Sequence, residues 1–101
     1  MGNRCLNHST EGAKLRALAN HRQVELLLST SASDFAEEHE ITRSDFLMAL
    51  RTCAVVKSEL YGAQWRRVVR GNDIDGDVLL MTVTVVYPIR RIRVLEVQLE
   101  S

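Results

Sequence analysis

Apolar and polar positions change their spacing once along this chain, just past its midpoint. From Glu11 the pattern is helical: Leu15, Leu18 and Ala19 share a face, with Ser9 or Thr10 placed to cap it. Residues 24–28 form a short apolar run that either extends this helix or makes a first strand. The Ser29-Thr30-Ser31 break favours the strand. A second helix is predicted over 32–39, with Phe35 and Ala36 facing inward. Thr42, with Asp45 three residues on, predicts the cap of a third helix whose buried stripe is Phe46, Leu47, Ala49 and Leu50.

After Arg51 the period becomes that of strands, over 54–60, 64–72, 78–87 and 91–99. Asp75-Gly76 predicts a two-residue hairpin turn with positive φ at the glycine. In the strand that follows, Leu79, Met81, Val83, Val85 and Tyr87 point one way, and the first four are predicted to pack on Phe35, Phe46 and Leu50. The opposite face mixes Val78, Leu80 and Val86 with Thr82 and Thr84, and is expected to be partly exposed. Pro88, lacking a donor, suits the turn into the last strand. The expected architecture is α+β, with two or three N-terminal helices packed on one face of a C-terminal antiparallel β-sheet. Residues 1–10 are expected to be loose and 11–101 to form a single domain.

Composition narrows the classes. A chain of 101 residues suits one core, burying roughly 65% of the surface its unfolded form exposes. Thirteen basic and thirteen acidic residues cancel, so no global field draws the protein to nucleic acid or membrane. The signs are nonetheless segregated. Asp34, Glu37, Glu38 and Glu40 form an acidic block, whereas Arg66, Arg67, Arg70 and then Arg90, Arg91, Arg93 form two basic clusters. Cys5 and Cys53 are too sparse for a disulfide scaffold, which points to free thiols and a cytoplasmic location. The uncharged run over 78–89 falls far short of the ~20 residues that span a bilayer, so no membrane association is expected.

Several chemistries find no support. His8, His21 and His39 lack the spacing of a helical ligand pair. The run 72–77 is acidic, but a calcium-loop alignment on Gly76 puts Gly71 and Thr82 where ligands are needed. No glycine-rich loop joins a strand to a helix. Neither a metal nor a cofactor is expected. Cys53, between a helix and a strand, reads as a small core residue.

The segment 57–70 interleaves cations with aromatic rings. Alternation puts Trp65, Arg67 and Val69 on one face and Arg66, Val68 and Arg70 on the other. If the first set faces the helices, Arg66 and Arg70 stand together on the open face, a spacing suited to phosphate clamping with base stacking. The plainer alternative is a solvated strand whose arginines pair with Glu59 or Asp73.

Two stretches together resemble a known group. Residues 30–38, TSASDFAEE, are similar to the Thr-x-x-Ala-x-x-x-Ala helix of MqsR-like toxins. Lys57-Ser58, Trp65 and Val68 resemble their Lys-Ser … Trp-x-x-Val stretch. The later run VVRGNDIDGDVLLMTVTVV, followed by RIRVLEV, looks like related bacterial domains of the broader RelE-like group, which carry a Gly-x-Asp-x-x-Gly hairpin between strands. The resemblance covers roughly residues 24–99. It implies a RelE-like helix-then-sheet fold and a metal-independent, RNA-cleaving toxin component neutralised by an antitoxin protein. Lys57 is the catalytic residue it implies, with Tyr61, Arg66 and Arg70 beside it. Cleavage of this kind needs a base for the 2′-hydroxyl, cations for the phosphorane and an acid for the leaving 5′-oxygen. Arg66 and Arg70 would supply charge, Lys57 the base, and Tyr61 a hydrogen bond or a stacking ring. The alternative is a non-catalytic interaction domain with the same fold, forming a homodimer or binding a partner protein through its open sheet face or its exposed final strand.

Overall fold

The computed structural model describes residues 8–62, 64–86 and 89–100. Its elements run α1 (His8–Ala19), β1 (Glu25–Leu28), α2 (Thr30–Glu38), α3 (Arg43–Arg51), β2 (Ala54–Tyr61), β3 (Gln64–Asn72), β4 (Val78–Val86) and β5 (Arg91–Glu100). The fold is α+β, and its strands form one sheet in the order β1-β5-β4-β3-β2. β2 to β5 make the expected antiparallel meander. The sheet as a whole is mixed rather than antiparallel, because β1 pairs parallel with β5. β1 is the short apolar run that the Ser29-Thr30-Ser31 break marked as a strand. It lies at the edge of the sheet beside β5, and α2 follows it directly.

Local chemistry fixes the helix starts. The Ser29 hydroxyl accepts from the Ala32 N–H and donates to the Leu95 carbonyl at 2.6 Å, so one side chain caps α2 and ties it to β5. Thr42 and Asp45 form a complete capping box on α3. The Asp45 carboxylate also accepts from the Ile74 N–H at 3.3 Å, joining α3 to the β3–β4 turn. These backbone donors, the Thr42 N–H foremost, hold its carboxyl below the usual range against the opposing effect of burial. α1 begins at His8, so Ser9 and Thr10 lie inside its first turn instead of capping a helix that starts at Glu11. The rest of the segment expected to be loose, 1–7, lies outside the described residues, as do Cys5, Tyr87 and Pro88.

The core sits between the three helices and one face of the sheet. Leu79, Met81 and Val83 are fully buried with Phe46 and Leu50, while Val85 and Phe35 pack at its margin, as the period-2 pattern predicted. β3 contributes Val69 and then Gly71, where a Cβ atom would lie 1.9 Å from the Ala49 carbonyl oxygen. Only glycine allows α3 to lie this close to the strand.

The Asp-Gly turn differs in length from expectation. The Asp73 N–H donates to the Asp77 carbonyl and the Gly76 N–H to the Asp73 carbonyl, leaving a three-residue loop of Ile74, Asp75 and Gly76. Gly76 has φ +90, the left-handed geometry that closes such a loop after a type I turn. Asp73 stabilises it further by accepting the Asp77 N–H at 2.8 Å.

Candidate functional site: the uncovered sheet face and its rim

A bulge decides which side chains share the open face. Val55 pairs with Val69, but Lys57 pairs with Val68, so Val56 is an extra residue in β2. Simple alternation from buried Val55 would send Lys57, Glu59 and Tyr61 toward the helices. The bulge turns all three to the opposite side, in register with Gln64, Arg66 and Val68. A second bulge at Leu95 keeps Val94 and Val97 inside while Glu96 pairs with Thr82 on the open face. Arg91 and Arg93, alternating with Ile92, stand on that face as well.

All four expected site residues, Lys57, Tyr61, Arg66 and Arg70, therefore share one surface that carries no helix among the described residues. Neither of the two cavities lined by described residues, one at the end of the sheet beside α1 and one at 20–23, includes any of the four. Arg70 makes a two-pronged ion pair with Glu100, at 2.7 and 3.0 Å, reaching across β4. The Lys57 Nζ lies 3.2 Å from Glu59, and its side chain is 59% exposed, surroundings of water and carboxylate rather than a desolvating cavity. The partners that sequence offered for the arginines, Glu59 and Asp73, are engaged elsewhere: Glu59 holds Lys57 and Asp73 closes the turn. Arg66 lies over the exposed Tyr61 ring, 4.3 Å from its centre.

The residues that sequence reasoning missed are Arg93 and Thr84. Thr84 pairs with Arg93, and continuing the β3–β4 register one step past Arg67–Val83 sets Arg66 on its other side. Although it belongs to the open face, Thr84 is only 1% exposed, and among the described residues its hydroxyl oxygen has no hydrogen-bond partner. Among the described residues, neither Arg66 nor Arg93 has a carboxylate within ion-pair distance. Two arginines thus flank a buried, unpartnered hydroxyl. The signal lay in the sequence as separate pieces, a threonine on a mixed strand and a distant Arg cluster, which only the strand register joins.

Beside this face, at the end of the sheet, lies a cavity of about 400 Å³. Glu11, Lys14 and Leu15 of α1 form one wall, and Gln64, Trp65, Arg67, Val85 and Val86 of β3 and β4 the other. Arg67 is ion-paired with Glu11, both side chains being largely buried, and its Nε–H is buried without a partner. Cys53 is 1% exposed, and burial pushes its thiol up to about 11, so it packs as a small core residue. Among the described residues no cluster of metal-ligating side chains forms, and no helix is long and apolar enough to cross a membrane. No protein family, no characterised protein and no solved structure matches the chain.

Proposed function

We propose that the uncovered sheet face binds RNA, and that the chain is a metal-independent RNA-cleaving toxin component of the RelE/MqsR-like kind, restrained by an antitoxin protein. One observation carries this reading: Lys57, Tyr61, Arg66, Arg70 and Arg93 gather on one face, with Arg66 stacked on an exposed tyrosine ring. Arg66 and Arg93 meet a phosphate from either side, and Tyr61 offers a ring to a base. The Arg70–Glu100 and Lys57–Glu59 pairs do not block this. Exposed ion pairs contribute about 0–1 kcal/mol, and charge-assisted bonds to phosphate exchange for them readily. In the cleavage step Lys57, freed from Glu59 and desolvated under the bound strand, takes the 2′-hydroxyl proton as the 2′-oxygen attacks phosphorus. Arg66 and Arg70 offset the charge of the phosphorane, and the P–O5′ bond breaks with the 5′-oxygen taking a proton from water to leave a cyclic phosphate.

A second reading, a non-catalytic interaction or dimerisation domain, draws on the same two ion pairs and on the half-buried Val68, Leu80 and Val86 of the same face. The test uses purified chain, free of any partner, with mixed-sequence RNA and chelator present. The RNA reading expects binding that weakens with salt, a salt slope reduced by about one in Arg66→Ala, and cleavage lost in Arg70→Ala. Absence of RNA binding at low salt, together with a dimer by light scattering, would leave the interaction domain as the better account.

A further inference from the structure

We propose that the cavity between α1 and the end of the sheet is a subsite for a guanine base. The inference rests on the RNA reading for the source of that base, but its chemistry is the cavity's own. At about 400 Å³ the cavity stands at the small end of ligand sites, of order 300–1,000 Å³, which suits a single nucleoside. Trp65 lines it with a large apolar ring that is 39% exposed, a ready stacking platform. Leu15, Val85 and Val86 supply the remaining apolar wall.

The polar part of the lining selects among bases. Glu11 offers only acceptors and Arg67 only donors, and their ion pair holds the two side by side. Guanine carries two adjacent donors, N1–H and the 2-amino group, that match the two oxygens of a carboxylate. Its O6 and N7 are acceptors that match a guanidinium. Adenine presents an N1 lone pair to the carboxylate, and a site built to accept rejects it strongly. Lys14, at the rim with its side chain exposed, pairs with Glu11 at 4.0 Å and can exchange that weak partner for the ribose phosphate.

Gln64 and Val86 line this cavity yet belong to the open face by register, Gln64 being paired with Tyr61. A strand lying across Arg66 and Tyr61 therefore reaches the cavity by turning one base over the sheet's end.

Trp65 is the only tryptophan, so its emission reports directly on occupancy. The full chain is titrated with guanosine 3′-monophosphate, adenosine 3′-monophosphate and ribose 5-phosphate. Saturable quenching by the guanosine form is expected, at least tenfold tighter than by the adenosine form, with no response to ribose phosphate. Glu11→Gln should erase the preference, and Val86→Phe, which fills the cavity, should abolish the response. Because Glu11→Gln also breaks a buried ion pair, NMR on the wild type stands beside it. There the Trp65 indole N–H and the amides of 11–15 and 64–67 should shift with the guanosine form. Equal responses to both nucleotides, or shifts confined to Lys57, Tyr61 and Arg70, overturn the proposal. RNA binding without any guanosine response at Trp65 overturns the subsite alone. A guanosine response in a chain that binds no RNA upholds the subsite and removes the RNA reading, leaving a free guanine nucleotide as the ligand.

Discussion

The two faces of this sheet are made from the same strands by the same alternation, yet they are held by different physics. On the helix-covered face, Leu79, Met81, Val83, Ile92 and Val94 are fully buried, and a missing Cβ at Gly71 lets α3 touch the strand. At the edge of that face, the buried carboxylate of Asp45 on α3 is held by backbone N–H groups. On the uncovered face the carboxylates of Glu25, Glu59 and Glu100 are instead met by the cationic side chains of Arg91, Lys57 and Arg70. Burial fixes the first face and leaves little room for other chemistry. The exposed ion pairs of the second contribute about 0–1 kcal/mol each, so their residues are open to selection for binding.

That contrast breaks first under core truncation. Phe46→Ala should cost about 3–5 kcal/mol, measured by chemical denaturation, because Phe46 is a large side chain fully buried beneath the sheet. Leu80→Ala, on the opposite side of β4 and half-buried, should cost well under half as much. Comparable losses at the two positions would mean that the open face is covered and structural.

Next in size is Gly71→Ala. A Cβ 1.9 Å from a backbone carbonyl oxygen cannot be relieved by a rotamer change, so α3 must shift away from β3. The expected loss is about 3 kcal/mol, the upper end for overpacking. A wild-type denaturation midpoint in this variant would show that α3 does not dock on β3.

A smaller, pH-dependent effect separates the two kinds of carboxylate. Asp45→Asn should destabilise by about 1 kcal/mol at neutral pH, as loss of a cap does. Because the folded-state carboxyl of Asp45 titrates below its ordinary 3.8, its contribution is complete above that value. It is lost as pH falls through the depressed folded value. The stability gap between wild type and variant should thus narrow only below about pH 4. A gap already closing at pH 6 would remove the backbone-held carboxylate from the account.

How much of this was legible in the sequence follows the same division. Burial writes its signal in period 2 or 3.6, so the core set, the third helix cap and β3 could be read directly. The bulges could not be read equally well. The spacing Ile92, Val94, Val97, Leu99 breaks alternation at Leu95 and marks the second bulge in plain sight. At Val55-Val56 two like residues conceal the first, and with it the turn of Lys57 and Tyr61 onto the open face. That Arg66, Thr84 and Arg93 lie in one row is a matter of register across three strands, which no local pattern carries. The cavity beside Trp65 depends on where α1 rests on the sheet, again a long-range fact. The parallel pairing of β1 escaped for the same reason.

The smallest stability effect is also the sharpest functional one. Glu100→Gln removes the carboxylate that holds Arg70 but keeps the side chain's size and its place at the end of β5. Both members of the pair are well exposed, at 48% and 39%, so the loss of stability should stay within about 0.5 kcal/mol despite the two-pronged geometry. The change frees a guanidinium and removes a negative charge from the face, and both effects favour a polyanion. RNA binding at low salt should therefore tighten, with a salt slope steeper by about one. If the face instead serves a protein partner or a second copy through its fixed charge pattern, the same substitution leaves Arg70 uncompensated and weakens association. Opposite signs from one nearly silent mutation, read by RNA titration and by light scattering on the same sample, decide between the two uses of the open face.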